Sequence, residues 1–460
     1  MSPLQNARLG VLVALLVVGA AAVSATPALA APAAVTSLTS SIPSSGAFTF
    51  SWDPMNGIAG YAYTFDQSPD TKAGTTVGLS ALSFSIGSGL SVGSSPRQVV
   101  TGDFGNGHTD LAVVNAGSRT VRILMGNGKG SFTVGKSYAT GLQPQSIATA
   151  DFNRDGRPDL AVANYNAATI SIFLATGTGT FAAKVDYPTG TNPHGIAAGN
   201  LGNGTVDLVV ANAGSNTVSV LLGNGDGTFQ PKVDYAAGSH TEKAIIGDFN
   251  GDGKPDLAVI NNHANTVSMF IGAGNGSFTA GGTFATGKTP YWVAAGDLDG
   301  DGKLDLAVAD YGAQTVSVLR GKGNATFAAK VDYAVGTNPM CVAIVDVNGD
   351  GIPDLVDSDH GGDIALLLGR GNGAFLPAQF VTTETHPRFF AVTDVDGDGR
   401  SDLAVPFDTL GRIRLLRNTT GSTAPSVTET VSGAGPWYFH VAAVDVTGVA
   451  GPTATLQVGQ

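Results

Sequence analysis

A nine-residue acidic phrase recurs five times along this 460-residue chain. It reads DFNRDGRPD at 151–159, DFNGDGKPD at 248–256, DLDGDGKLD at 297–305, DVNGDGIPD at 346–354 and DVDGDGRSD at 394–402. Carboxylate or amide side chains stand at positions one, three, five and nine, and glycine stands at position six. Two carboxylates ~4 Å apart repel by about 4 kcal/mol at an effective dielectric near 20. A loop that gathers three or four of them is therefore predicted to hold a hard cation, and calcium prefers such oxygen ligands.

The EF-hand is the main alternative calcium loop. It requires a bidentate glutamate at position twelve and a helix on either side. Here position twelve is Val162, Val259, Val308, Asp357 or Val405, and a short strand-like segment such as DLAVAN begins at position nine. We therefore expect calcium loops on β-hairpins. A solvated acidic turn without metal is the simpler alternative, and five copies at fixed spacing argue against it.

Two damaged copies extend the series. The first loop positions then fall 48 or 49 residues apart, at Asp103, Asp151, Asn200, Asp248, Asp297, Asp346 and Asp394. The copies DFGNGHTD at 103–110 and NLGNGTVD at 200–207 are one residue short and carry glycine at position three. We expect these two loops to bind calcium weakly or not at all.

Each repeat reads as four short strands, named A to D here in chain order, with the acidic loop between A and B. A period near 48 residues with four strands predicts one propeller blade per repeat, and so a seven-bladed β-propeller over 82–418. Glycine-rich turns such as GNGKGS at 126–131 precede a phenylalanine in six repeats. Because no helix pattern follows them, we predict hairpin turns rather than dinucleotide sites.

The seventh repeat lacks its own D strand, because Thr423 stands where the phenylalanine is due. Phe84 lies 48 residues before Phe132, and its surroundings match the D pattern. We predict that 82–93 supplies the outer strand of the last blade, which leaves no open seam in the ring. The flanks at 34–80 and 424–460 read as strands too, so the predicted fold class is all-β, with a small β-sandwich formed from both chain ends.

Composition and the first thirty residues limit partners and location. The net charge is −12 and no Lys/Arg cluster occurs, which argues against nucleic acid as a partner. Arg8 precedes an apolar run at 9–23 and a small-residue cleavage site at 28–30, so we predict a signal peptide over 1–30. We therefore expect a secreted, extracellular monomer without a membrane span; an uncleaved membrane anchor is the alternative. Cys341, the single cysteine, is predicted to be a buried small hydrophobe.

The segment 144–162 with its period resembles the FG-GAP or VCBS repeat, the unit of the integrin α-chain propeller and of many bacterial exported proteins. The flanks resemble a fibronectin type III domain interrupted by the propeller, on Trp52 and the segment WYFHVAAVD. The propeller resemblance implies about five structural calcium ions (Ca²⁺). Carried over by position, with the backbone carbonyl acting at position seven, it implies as ligands Asp151, Asn153, Asp155, Arg157, Asp159, Asp248, Asn250, Asp252, Lys254, Asp256, Asp297, Asp299, Asp301, Lys303, Asp305, Asp346, Asn348, Asp350, Ile352, Asp354, Asp394, Asp396, Asp398, Arg400 and Asp402.

The same resemblance implies that the face opposite the calcium loops binds partners. On that face the residue after the repeated proline varies between repeats, and variation on a rigid scaffold is typical of binding surfaces. The candidate ligand-binding residues are Arg97, His194, Tyr291, Trp292, Arg388 and Phe389. The alternative is that they are ordinary loop residues without a ligand. Aromatic faces suit both sugars and protein partners, which makes Tyr291 and Trp292 the best of the six.

No catalytic pattern is found. HExxH is absent, no serine sits in a strand-to-helix elbow, and the seven histidines share no ligand spacing. We predict that the protein is not an enzyme. We expect a secreted, calcium-stabilised scaffold for extracellular protein or surface binding and adhesion. A glycan-binding, lectin-like propeller is the alternative, and a polysaccharide-active enzyme is less favoured.

Overall fold

The computed structural model describes residues 82–420 in full, together with the backbone of seven strands nearer the chain ends. Seven antiparallel sheets follow one another over 84–418, one for each repeat. The A strands are Pro96–Gly102, Pro144–Ala150, Pro193–Gly199, Thr241–Gly247, Pro290–Gly296, Pro339–Val345 and Ala391–Thr393. The B strands are Asp110–Asn115, Asp159–Asn164, Asp207–Asn212, Asp256–Asn261, Asp305–Asp310, Asp354–Asp359 and Asp402–Phe407. The C strands are Thr120–Gly126, Thr169–Phe173, Thr217–Leu221, Thr266–Gly272, Thr315–Leu319, Asp363–Leu367 and Arg412–Asn418.

The D strands are outermost, with bounds Phe132–Ala139, Val185–Pro188, Val233–Ala236, Phe278–Ala285, Val331–Ala334 and Gln379–Thr382, and in blade 7 Phe84–Ile86 with Leu90–Ser91. Blade 2 also has a short hairpin, Ala175–Gly177 with Thr180–Phe181, and a 3₁₀ turn, Tyr165–Ala167. Because the strands alternate in direction, the A–B acidic loops and the C–D turns share one face, which we call the loop face. The B–C loops and D–A connections share the other, which we call the axial face.

The B strands are buried along their whole length, as the mostly apolar residues between their polar ends predict for a strand covered on both sides; blade 6 departs from this pattern with Asp357 and Ser358. Each blade packs on the next through the second residue of its acidic loop. Phe104 meets Phe181 edge to face, with ring centroids 5.7 Å apart, and Phe152 meets Phe229 in the same way at 5.5 Å. Each buried phenylalanine contributes about 1.5–3 kcal/mol. This packing explains why a phenylalanine follows the glycine-rich turn in blade after blade.

The ring closes through its leading segment, as the sequence predicted. Phe84 pairs with Asn418 and Ile86 with Leu416, and the Gly87 amide donates to the Leu415 carbonyl at 2.9 Å. The closing strand runs as two short pieces rather than continuously over 82–93. Blades 7 and 1 also meet at their inner strands, where the Phe389 amide donates to the Arg97 carbonyl at 3.1 Å. The prediction of a closed seven-bladed ring is therefore confirmed.

Strands from the two chain ends pair with one another as well. One sheet contains Thr39–Ser41, Ala47–Ser51 and Ser426–Thr430; another contains Ala454–Val458, Trp437–Val444, Gly60–Asp66 and Thr75–Gly78. The propeller residues Phe84–Val347 and Ile352–Asn418 form one compact unit, and a second unit holds these terminal strands. The predicted signal peptide, 1–30, and the side chains that would define a fibronectin type III sandwich lie outside the described residues. Among the residues described, no helix is long and apolar enough to cross a membrane.

Candidate functional sites

The full-length acidic loops are organised by their first aspartate. In loop 297–305 the Asp297 carboxylate accepts hydrogen bonds from the amides of Gly300 at 2.8 Å, Asp301 at 3.1 Å and Gly302 at 2.8 Å. Gly300 and Gly302 have φ of +76° and +79°, and a Cβ at either would meet nothing within 4 Å. The requirement for glycine is therefore conformational, because only glycine adopts this backbone region without strain.

Three carboxylates converge in two of the loops. One oxygen from each of Asp297, Asp299 and Asp301 lies within 4.8 Å of the others, and Asp394, Asp396 and Asp398 do the same. These all-oxygen sets fit a hard cation such as Ca²⁺. At position seven the side chain reaches back to position five: Lys303 Nζ lies 2.7 Å from Asp301 Oδ2, and this exposed ion pair adds little stability. Ligation by the position-seven carbonyls stays a prediction, as does binding in the other three loops.

The aspartate at position nine has a structural role that the sequence did not reveal. Asp305 is fully buried; its Oδ2 accepts from the Leu298 amide at 2.9 Å and its Oδ1 from the Gly321 amide at 2.7 Å. One side chain thus ties the acidic loop to the C–D turn of the same blade. Burial raises the pKa of Asp305, and the two amides oppose that rise. Equivalent pairs of bonds occur in both the full-length and the short loops, at Asp110, Asp159, Asp207, Asp256, Asp354 and Asp402.

The two short loops are closed by an asparagine. Asn106 Nδ2 donates to Asp110 Oδ1 at 2.8 Å and to the Gly126 carbonyl at 2.9 Å. Asn203 Nδ2 donates to Asp207 Oδ1 at 2.7 Å. In each short loop an asparagine side-chain amide therefore donates to the buried aspartate at the end of the loop. That 103–110 and 200–207 bind calcium weakly or not at all stays a prediction.

The six candidate ligand-binding residues lie together on the axial face. Arg97 and Arg388 both bind Asp408, and the Tyr291 ring stacks on Phe389 with centroids 5.9 Å apart. His194 contacts Tyr291 edge to face at 5.5 Å, and Trp292 stacks on Phe389 at 4.7 Å. Phe389 is only 2% exposed and Trp292 packs against the core between blades 5 and 6, so these two rings support the surface from beneath.

A buried glutamate that was not among the candidates organises the middle of this face. Glu242 is 3% exposed; its carboxylate oxygens lie 2.7 Å from His194 Nδ1 and 3.1 Å from His240 Nε2. Burial acts to raise the pKa of Glu242, but the two histidines outweigh it and hold the pKa at about 2. The Tyr291 hydroxyl lies 3.4 Å from His194 Nε2, so the carboxylate, imidazole and phenol form one chain.

Five of the seven histidines gather on the axial face. The ring centroids of His240 and His263 lie 4.2 Å apart in a stacked pair, and those of His360 and His386 lie 4.2 Å apart edge to face. The Tyr311 ring centroid lies 6.4 Å from that of His360. No group of three metal-ligating side chains occurs among them in the described part of the chain. The repeat period could have pointed to three residues of the axial face, Tyr311, His360 and Asp408. They belong to a position directly after strand B that recurs every 48 or 49 residues: Ala116, Tyr165, Ala213, Asn262, Tyr311, His360 and Asp408.

The channel beneath the axial face is filled by side chains of the A strands. Gln98 Oε1 accepts from Ser146 Oγ at 2.7 Å, and Lys243 Nζ donates to the Ile196 carbonyl at 3.0 Å while lying 4.3 Å from the Trp292 ring centre. Burial lowers the pKa of Lys243 to about 8. A Cβ on Gly195 would lie 2.5 Å from the Glu242 carbonyl oxygen and 2.9 Å from Lys243 Cδ, so glycine is required there. Cys341 is 2% exposed, as predicted.

Comparisons with known proteins agree with this architecture. The model of the FG-GAP-like repeat matches residues 103–162, 151–203, 201–259, 248–308, 297–356 and 346–405. These matches span more than half of the chain, so the protein belongs to the FG-GAP-like repeat family. No match falls on the flanks that resemble fibronectin type III, and no curated protein matches the chain.

Solved structures share the fold at low identity. BBS1N in complex with ARL6DN, soaked with lead, is 13% identical over 78% of this chain and 98% of that chain, with a TM-score of 0.52. A protein from Bacteroides uniformis described as a 6-phosphogluconolactonase is 16% identical over 71% of this chain and 98% of that one, with a TM-score of 0.51. At such identities the likeness concerns the fold alone.

Proposed function

We propose that this protein is an exported, calcium-stabilised β-propeller that binds an extracellular partner through its axial face. The observation that carries the proposal is the convergence of Arg97, His194, Tyr291 and Arg388 on one face although they belong to four different blades. The acidic loops occupy the opposite face, so metal and partner have separate places. Side chains on loops above a packed scaffold are typical of recognition surfaces.

Calcium has a structural role in this proposal. Five full-length loops offer the ligands, and the converging carboxylates of Asp297, Asp299 and Asp301 support a cation at that position. A bound ion would offset the repulsion between those carboxylates and hold the loop against its blade. We expect about five Ca²⁺ per chain, because the amides of Asn106 and Asn203 close the two remaining loops.

Metal counting and surface binding test the proposal together. Native mass spectrometry in calcium should show about five ions, and a chelator should lower the melting temperature. Binding to glycan arrays and to cell-surface preparations should disappear in Tyr291→Ala. It should persist in Val185→Ser, a change at an exposed outer-strand position that leaves the axial face intact. Metal-independent melting together with binding that ignores Tyr291 would refute the proposal.

Glycan binding is the second candidate for the partner. Tyr291 and Tyr311 lie 5.8 Å apart on the axial face, near the two arginines, and sugars bind between aromatic rings and polar donors. We keep the prediction that the protein is not an enzyme. The chain of Glu242, His194 and Tyr291 would be the first place to look for acid–base chemistry. Turnover of a uronate polymer by the wild type, abolished in His194→Ala, would overturn the prediction that the protein is not an enzyme.

The remaining parts of the proposal concern the chain ends and the cell. We propose that the terminal strands form a fibronectin type III-like sandwich, supported by two sheets that each combine strands from both ends. We also propose export through 1–30 and a monomeric mature form. Mass spectrometry of the secreted protein would identify the cleavage site after Ala30, and light scattering would give the oligomeric state.

A further inference from the structure

Two arginines on neighbouring blades share one carboxylate on the axial face. Arg97 Nη1 lies 3.3 Å from Asp408 Oδ2, and Arg388 binds the same oxygen through Nε at 2.7 Å and through Nη2. Each guanidinium carries five N–H donors, so these three contacts leave most of them unused. Within 82–420, Arg97 Nε and Asp408 Oδ1 are buried and have no hydrogen-bond partner, so the donors open to a ligand are the remaining Nη–H groups of the two guanidinium groups. This corner therefore has one more positive charge than negative, and spare donors.

The nearby carboxylates are already committed elsewhere. Glu242 is held between His194 and His240, and Glu384 binds both Arg412 and Arg414. His360 and His386 stand next to the corner, and burial together with Arg388 lowers the pKa of His360 to about 4. His360 is therefore neutral at pH 7 and adds no positive charge to this corner. Arg97 and Arg388 are 21% and 14% exposed, so a small group can reach them from solvent.

The geometry points to a subsite for the carboxylate of an acidic sugar, formed by Arg97 and Arg388 with Tyr291 and Tyr311 beside them; the inference rests on the proposed binding function of this face. A guanidinium fork matches a carboxylate in shape and charge. Asp408 engages both guanidinium groups through one oxygen only, so a uronate would add a second carboxylate to donors that are free. Tyr291 and Tyr311 contact each other, with ring centroids 5.8 Å apart, so the sugar ring would lie against this pair rather than between its members.

The surface fits a sugar better than a protein. Protein interfaces bury about 800 Å² per partner around an apolar centre. Of the exposed large hydrophobic residues in the described part of the chain, only Leu142 and Leu410 lie on this face; the others lie on outer strands. The arginine corner is charged and recessed, which suits a compact anionic group.

Calorimetry with a matched pair of sugars tests the inference. The probe is a tetrasaccharide of alternating glucuronate and N-acetylglucosamine, and its partner is the same molecule with each carboxyl reduced to an alcohol. In saturating calcium the acidic form should bind about tenfold or more tightly than the reduced form. Arg388→Lys, which keeps the charge and loses the fork, should weaken binding by about tenfold. Arg320→Ala, at an arginine on the loop face, should leave it unchanged.

Asp408→Asn removes the competing carboxylate and should tighten binding by about threefold or more. A misfolded variant would lose affinity for the sugar, so misfolding cannot explain tighter binding by Asp408→Asn. Melting curves verify the fold of each variant. Equal affinity for the acidic and reduced sugars, or no binding of the acidic one, overturns the inference. If both sugars bind equally and Tyr291→Ala abolishes both, the proposed binding face stands and the carboxylate subsite falls. If hexaglutamate binds as tightly as the acidic sugar and with the same dependence on Arg388, the inference of a sugar ligand is overturned and the ligand class is an acidic peptide.

Discussion

Asp310→Asn should stabilise the propeller at neutral pH, because Asp310 is a buried carboxylate where four other blades have asparagine. It ends strand B of blade 5; Asn115, Asn164, Asn212 and Asn261 are its equivalents. Ser317 Oγ lies 2.5 Å from Asp310 Oδ2 and 2.7 Å from Asp332 Oδ1. A hydroxyl donates only one hydrogen, and two ionised carboxylates can only accept. In blade 2 the count balances, because Asn164 Nδ2 donates to Ser171 Oγ, which lies 2.6 Å from Asp186 Oδ1.

The magnitude follows from the pKa. Burial, with a contribution from Asp332, raises the pKa of Asp310 from 3.8 to about 7. A gap of about three units corresponds to about 4 kcal/mol at 1.36 kcal/mol per unit, and relaxation of the site makes about 2–4 kcal/mol the expected range. Because the folded pKa is raised, the stabilisation from protonated Asp310 is complete below about pH 4. It is lost as the pH rises through 7, whereas an asparagine does not titrate.

The assay is urea unfolding of wild type and Asp310→Asn in saturating calcium at intervals from pH 4 to 8. The difference in free energy of unfolding should be small at pH 4 and should grow in favour of the variant toward pH 8. Asn261→Asp, at the equivalent position in blade 4, is the matched control and should introduce the opposite pH dependence. A difference that stays flat across the range, or a variant that is less stable at pH 8, would refute the reasoning.

Four further predictions concern the loops, the channel and the ring. Asp299→Ala should lower the melting temperature in calcium but not in chelator, because its cost depends on a bound cation; loss of stability in both conditions would contradict metal binding there. Asn106→Ala should instead cost about 1–3 kcal/mol with or without calcium, measured by the same melts, because it leaves Asp110 Oδ1 and the Gly126 carbonyl without this donor. Gly195→Ala should destabilise by about 1–3 kcal/mol in urea unfolding, since its Cβ would lie 2.5 Å from the Glu242 carbonyl oxygen; an unchanged midpoint would show that the channel yields. Deletion of 84–91 should expose one edge of blade 7 and produce concentration-dependent association in light scattering, and a monomeric product would argue against its closing role.

The repeat period alone predicts much of the fold. It predicted the number of blades, the short strands and the return of Phe84 to the last blade, because these depend on residues in register along one repeat. Contacts across the channel do not follow from the period. His194 and Tyr291 are 97 residues apart and belong to blades 3 and 5, and only the radius of the closed ring brings them to 5.5 Å.

The acidic loops show a second limit of sequence reasoning. Aspartates at positions one and nine look alike in the repeated phrase. Asp297 bonds three amides of its own loop, whereas Asp305 is fully buried and reaches the Gly321 amide beyond strand C. Burial and the position of a distant turn separate the two roles, and neither is visible in the spacing.

The pairing of Phe84 with Asn418 joins positions more than 300 residues apart. Bringing the ends of so long a loop together costs about 5 kcal/mol of chain entropy beyond a constant, since that cost grows only logarithmically with length. During synthesis the first strand of the ring emerges long before its partner, and it has no place to dock until the seventh repeat has been made. A chain halted before Arg412 would therefore keep an unsatisfied edge at both ends, which gives cellular proteases a simple way to distinguish unfinished copies from complete ones.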